Sequence, residues 1–97
     1  LLAYDDITAL GAMRALVKSG IRVPEQCSVI GFDDTAPAAL SLPALTTIRQ
    51  PMETMGAAAA ETITEAIHAS LERLEFPPTH RRLPPELVVR ESTSRLT

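Results

Sequence analysis

Four carboxylates stand in two adjacent pairs, Asp5-Asp6 and Asp33-Asp34, and each pair follows a short apolar run. Leu1-Leu2-Ala3-Tyr4 leads into the first pair; Val29-Ile30-Gly31-Phe32 leads into the second. If both runs are parallel neighbouring strands, the carboxylates gather at one edge of a sheet. In open α/β sheets, the crevice beyond the carboxyl ends of the strands is where ligands bind. Carboxylates there accept hydrogen bonds from sugar hydroxyls or purine N–H groups, and only a few placed polar groups are needed. The same residue types allow two other chemistries. Three or more carboxylates can hold Mg²⁺, which favours oxygen ligands, and two can share acid and base roles in glycoside cleavage. No Gly-rich phosphate loop is present, and no Lys, Ser or Thr stands at a spacing that would serve phosphoryl transfer.

The elements that must place these side chains follow from periodicity. Ile7, Leu10, Met13 and Leu16/Val17 recur every three to four residues, which predicts a helix over about 7–18. Asp6 is read as its N-cap, which leaves Asp5 at the strand end, either facing a cleft or as a solvated loop carboxylate. Of Asp33 and Asp34, one is expected to face the cleft and the other to anchor the turn through backbone N–H groups. Lys18 suits the helix C-terminus, and Gly20 is the stop signal. Gly11, inside the helix, is read as room for another element. A loop over 21–26 leads to the strand Cys27–Gly31, so the grammar is β-α-β with a parallel pair and a right-handed crossover. Pro37 suits the start of a helix over 36–42, closed by Pro43. Thr46–Arg49 is β-branched and short, a third strand. From Gln50-Pro51 the longest helix runs to about Leu71 or Leu74. Met52, Met55, Ala59, Ile63, Ala66/Ile67 and Leu71 lie on one face of it, and Gly56 with Ala57 to Ala60 forms a smooth patch for close packing. Phe76-Pro77-Pro78 ends it. His80–Leu83 and Leu87–Arg90 read as short extended pieces at an edge, split by Pro84-Pro85, and 91–97 as a polar tail.

The totals narrow the function classes. A chain of 97 residues makes one small domain and buries only roughly 60–70% of its unfolded surface. Net charge is −3, and no basic run exceeds Arg81-Arg82. Phosphate neutralisation needs a clustered basic face, so these residues are not expected to bind nucleic acid. No apolar run approaches a membrane span, and no residue pattern calls for a cofactor. Cys27 is the single cysteine. It is read as a buried small hydrophobe, and the lack of disulfides is compatible with a reducing cytoplasm. His68 is placed on a solvated helix face and His80 in a loop, neither as a ligand. The chain opens on Leu1 inside a predicted strand and without Met, so a preceding part is expected.

Five motifs in order resemble the LacI/GalR family of transcription regulators. Asp5-Asp6-Ile7-Thr8-Ala9-Leu10-Gly11-Ala12-Met13-Arg14-Ala15-Leu16 is similar to the family's Asn-Asp-x-x-Ala-x-Gly-x-x-x-Ala-Leu segment. Gly20 to Glu25, Ser28 to Asp34, Leu45 to Pro51 and Leu83 to Thr93 continue the match. Singly each motif is weak; in register they are specific. The chain resembles the C-terminal part of the effector-binding domain of such a regulator. The resemblance implies an α/β fold: a three-layer parallel-sheet subdomain of a periplasmic-binding-protein-like fold, truncated. Residues 1–49 and 80–93 would form the C-terminal subdomain, and the helix within 50–76 would belong to the N-terminal one.

What the resemblance implies for the site is residue-specific. Asp33 falls where the family contacts its effector, often a sugar hydroxyl. Asp5 stands where the family usually has Asn, another effector contact. An amide donates and accepts whereas a carboxylate only accepts, which favours a hydroxyl-rich or cationic effector. Gln50, at the subdomain crossover, is a third contact. The first helix near Leu10, with Met13 and Arg14, is implied as a homodimer interface of two-fold type. Operator DNA would be read only by a helix-turn-helix headpiece outside this chain. The expected protein is a cytoplasmic bacterial regulator, not an enzyme, that senses a sugar or related small molecule. A sugar-binding protein of a transporter is the first rival. An Mg²⁺-dependent or glycoside-cleaving enzyme is the second. The apolar face from Met52 to Leu71, lacking its usual sheet, is expected to be exposed in this chain and to be covered by pairing of two chains, with this helix exchanged or packed across the dimer.

Overall fold

The computed structural model describes residues 1–96. Two compact units are formed, one by Leu1–Gln50 with 85–96, the other by Pro51–Pro84.

The first unit begins with helix α1, Asp6–Lys18. Its inner face places Ala9 and Met13 one turn apart in the core, with Leu10 and Leu16 half-buried against it. The helix ends as its sequence predicts. Gly20 takes φ 79°, the Gly20 N–H reaches the Val17 carbonyl at 3.0 Å, and the Ile21 N–H reaches that of Leu16 at 2.9 Å. This paired closure satisfies carbonyls that the helix itself leaves free. Gly11 faces open space rather than a neighbouring element. The second helix, α2, covers only Ala36–Leu40, with Ser41 as its cap. Its Ala38 joins Val23, Val29 and Leu45 in the same core.

Backbone pairing is parallel at the centre and antiparallel at one edge. Ile30 bridges Leu2 on one side and Thr46 on the other, both in parallel. The ladder is too short there for regular strands. Strand β1, Thr47–Arg49, continues from Thr46 and pairs antiparallel with β2, Glu86–Val88, so that Thr47 faces Val88 and Arg49 faces Glu86. The parallel β-α-β reading therefore holds for the first two runs and the third, while the last segment makes the sheet mixed. His80–Leu83 forms no strand, and the paired residues start at Glu86 instead. Pro84 and Pro85 lack the N–H a ladder needs.

The polar ending is not merely a tail. Ser92 is fully buried; its Oγ donates to the Val29 carbonyl at 2.6 Å and accepts from the Thr46 N–H at 2.8 Å. Its carbonyl takes the Val29 N–H at 2.9 Å. One small side chain thus closes the gap between two backbone segments, where an unpaired buried amide would be costly. Cys27 is half-buried against the core and its thiol contacts the Ser28 carbonyl.

The second unit is built on α3, Met52–Leu71. Its apolar residues stay open, as expected: Met52, Ile63, Ile67 and Leu71 are all exposed, and only Ala69 of the helix is buried. Gly56 likewise meets no neighbour. His68 lies on the solvated face and pairs with Glu72 at 3.2 Å, and Arg81 reaches back to Glu61 at 3.4 Å.

Candidate functional site

Each aspartate of the two pairs has a different task, and the first pair exchanges the tasks expected of it. Asp5, not Asp6, is the N-cap of α1. Its backbone is extended, and its Oδ1 accepts the Thr8 N–H at 2.7 Å. That bond holds the Asp5 carboxyl below its ordinary range, since the free N–H of the first turn favours the anion. Asp6 enters the helix one residue later and turns inward, with no exposed surface. Its Oδ1 accepts the Thr47 hydroxyl at 2.6 Å, and its Oδ2 accepts the Thr35 N–H at 2.7 Å and the Thr35 hydroxyl at 3.0 Å. The reason is geometric. Gly31 runs against Asp6, so closely that any Cβ there would collide with Asp6 Oδ1. The strand end and the helix start can touch only because residue 31 has no side chain.

The second pair sits on a strained turn. Asp33 and Asp34 have φ of 113° and 56°, conformations that cost non-glycine residues on the order of 1–3 kcal/mol each. Bonds on both sides fix them. The Asp33 N–H donates to the Ile48 carbonyl at 2.9 Å, and the Asp34 N–H reaches the Thr47 hydroxyl at 3.3 Å. The anchor of this turn is Asp34, but through guanidinium groups rather than the backbone N–H groups expected. Arg49 Nε donates to its Oδ2 at 2.7 Å and Arg90 Nη2 to its Oδ1 at 2.6 Å. The hydrogen bond from Arg49 holds the Asp34 carboxyl below its ordinary value of 3.8; burial opposes this and Arg90 adds to it. Asp34 in turn raises Arg49.

With Asp34 occupied, Asp33 is the carboxylate left for the open edge. It lines a pocket of about 380 Å³ together with Tyr4, Phe32 and Gln50. Gln50 Nε2 donates to Asp33 Oδ1 at 2.8 Å, so two of the three expected effector contacts meet directly. Asp5, the third, is spent in part on α1 and does not line this pocket. The aromatic walls were missed by the sequence reading. The available signal was position: Tyr4 and Phe32 each stand immediately before one of the paired aspartates. Arg90, 56 residues beyond Asp34, gave no local signal.

As for metal chemistry, Asp6 and Asp34 are already held by hydroxyls and guanidiniums. Among the described residues no group of three or more His, Cys, Asp and Glu side chains converges on a point. The carboxylate edge resolves into separate roles rather than a cage.

A second depression, of about 350 Å³, is lined by Leu10, Met13, Arg14, Val17, Lys18, Ser41 and Leu42. Of the three residues expected at a dimer interface, Leu10 is half-buried and Arg14 exposed. Met13, 4% exposed, is a core residue first, which leaves it little surface to offer a partner. Val17 and Leu42 are the exposed apolar side chains of this face.

Residues 1–93 match the model of the periplasmic binding protein-like domain. The chain is 44% identical over 90 residues to the HTH-type transcriptional regulator MalR of Streptomyces coelicolor, covering 93% of this chain and 25% of that protein. Among solved structures, it is similar to the complex of the transcriptional regulator CelR with cellobiose, with TM-score 0.84 and 36% identity over 94% of this chain and 27% of that one. It is also similar to the Lac repressor dimer bound to operator and the anti-inducer ONPF, with TM-score 0.81 and 35% identity over 95% of this chain and 30% of that one. The chain spans about a quarter of the length of the curated relatives it matches. It belongs to the periplasmic binding protein-like domain family, in the form found in LacI-family transcription regulators.

Proposed function

We propose that this chain is the effector-sensing and dimer-forming part of a DNA-binding transcription regulator, and that the effector is a sugar. The observation that carries the reading is the meeting of Asp33 and Gln50 in a pocket also lined by Tyr4 and Phe32. A carboxylate and an amide offer acceptors and a donor within one bond of each other, which suits vicinal hydroxyls. Aromatic faces suit the apolar C–H side of a pyranose. That CelR is solved with cellobiose supports the sugar class. Asp5 keeps one free carboxylate oxygen beside Tyr4 and is a further contact. Leu10 and Arg14, extended by Val17 and Leu42, form the homodimer face, consistent with the dimeric Lac repressor neighbour. The α3 helix belongs to the facing subdomain of the full-length protein. DNA is contacted only by a separate headpiece, and the protein works in the cytoplasm without catalysis. No helix of the described residues is long and apolar enough to cross a membrane.

The test is a thermal-shift titration of the full-length protein against maltose, cellobiose and lactose, with adenine, guanine and Mg²⁺ in separate wells. A ligand that binds only the folded state stabilises it by RT ln(1 + [L]/Kd). The expected result is a sugar-dependent shift that Asp33→Ala abolishes. A shift with Mg²⁺ alone, lost in Asp5→Ala, would overturn the sensor reading in favour of a metal-dependent enzyme.

A further inference from the structure

We propose that Asp34 and Arg90 are positioning residues for the recognition pair, clamping the turn that carries Asp33 to strand β1, whose last residue, Arg49, precedes Gln50. The proposal rests on reading Asp33 and Gln50 as the effector contacts. Neither Asp34 nor Arg90 lines the pocket, yet the carboxylate of Asp34, the residue after Asp33, bonds Arg49, the residue before Gln50, and Arg90. Asp34 is the neighbour of Asp33 in a turn with two left-handed residues. One of its carboxylate oxygens holds Arg49, the neighbour of Gln50, and the other holds Arg90. Arg90 is fixed independently of Asp34. Its Nη1 donates to the Leu45 carbonyl at 3.0 Å and its backbone N–H to the Thr46 hydroxyl at 2.9 Å. With the backbone pinned and Nη1 held by the Leu45 carbonyl, the planar guanidinium presents Nη2 to Asp34 in a fixed direction, which a Lys ammonium cannot reproduce.

The arrangement has a second consequence. Arg49 also reaches Glu86 at 3.6 Å across the β1–β2 pair. Arg49 directly precedes Gln50, the last residue of the first unit before the chain leaves it, and Glu86 follows Pro85, where the chain returns. One network of two arginines and two carboxylates therefore ties the recognition turn to both crossing strands.

The clamp is separable from simple stabilisation by experiment on the full-length protein. Asn tolerates the left-handed region nearly as well as any non-glycine residue, so Asp34→Asn keeps the turn's backbone preference and removes the charge. Arg90→Met keeps the stem without the fork, and Arg90→Lys restores charge alone. Hydrogen–deuterium exchange without ligand is expected to quicken at least tenfold at the Asp33 and Asp34 amides in Asp34→Asn and Arg90→Met, with α1 amides unchanged and Arg90→Lys in between. Binding of maltose, cellobiose or lactose, whichever the wild type binds, is expected to weaken at least tenfold in the same two variants. Unchanged exchange over 31–35, or exchange that quickens equally in α1, overturns the clamp. So does unchanged sugar affinity in Asp34→Asn when Asp33→Ala abolishes binding. Sugar binding that survives Asp33→Ala overturns the effector reading instead, and exchange then decides the clamp alone.

Discussion

Asp6 gives α1 its position through three hydrogen bonds from Thr35 and Thr47, residues 29 and 41 positions away. Its removal in Asp6→Ala leaves the Thr35 N–H without a partner in a closed site and frees both hydroxyls. A cost of about 3 kcal/mol is expected, because buried donors stripped of a charged acceptor lose their full desolvation term. Asp6→Asn is milder, near 1 kcal/mol, because its NH₂ can donate to the Thr47 oxygen while its carbonyl still serves Thr35. Urea denaturation of the full-length protein at neutral pH ranks the two. Gly31→Ala probes the same contact from the other side. The new methyl would meet Asp6 Oδ1, Leu45 Cδ2 at 2.9 Å and Asp6 Cα at 3.2 Å. Backbone cannot give way as a flexible side chain can, so a loss of about 2–3 kcal/mol is expected on the same curves. Equal stability of Gly31→Ala and wild type would show that the two segments do not pack as closely as described.

At the scale of elements, β1 and β2 are three residues each, too short to hold themselves by backbone pairing. Their register is supported by Arg49, Asp34 and Arg90, and that support depends on charge. Asp34 titrates lower in the folded chain than its ordinary value of 3.8, so the unfolded state binds the proton more readily. Its contribution is therefore complete above about pH 4 and disappears as pH falls through the lowered folded value. The difference in stability between wild type and Asp34→Asn is expected to be constant from neutral pH down to about 5 and to shrink progressively as pH falls below about 4. Chemical denaturation at several pH values reads this directly. A gap that does not shrink at all as pH falls below about 4 would assign the effect to shape rather than charge. This network also marks the limit of legibility. Met13 inward with Leu10 and Leu16 beside it, and Gly20 at the stop, follow from spacing and residue type, which act over a turn or less. Ala9, outside the predicted stripe, is buried, while Ile7 and Val17, within it, are exposed because only one side of the helix meets the core. The Asp5 and Asp6 roles did not follow, because both are good caps and only the approach of Gly31 decides which turns inward. Arg90 and Ser92 were illegible for a different reason. Their partners lie 44 to 63 residues away, and nothing in a tail of polar residues distinguishes one destined for the core.

For the whole molecule the decisive question is which apolar surfaces need a partner. Among the exposed apolar side chains of the described residues, two sets lie on one element or groove each: Met52, Ile63, Ile67 and Leu71 on α3, and Val17 with Leu42 beside the α1 groove. Apolar patches left open to solvent are candidates for an interface. The two faces differ in what can cover them. The α3 face is long and apolar along its whole length, and under the proposed reading the rest of the same polypeptide covers it. The α1 face is rimmed by Arg14 and Lys18, and a polar rim around an apolar centre is how separable interfaces are built. A two-fold axis through it would bring the same patch of each copy together, setting Arg14 and Lys18 of both near one another. Such a dimer should therefore tighten as salt screens the like charges. Leu42→Lys, which adds a further positive charge to a patch that already holds Arg14 and Lys18, is expected to shift the full-length protein from dimer to monomer in light scattering after gel filtration, with α1 helicity and the response to sugar per subunit retained. Asp33→Ala should leave the dimer intact and remove the sugar response. If Leu42→Lys instead leaves the mass at two subunits, the dimer axis lies elsewhere and the groove on α1 is not its centre.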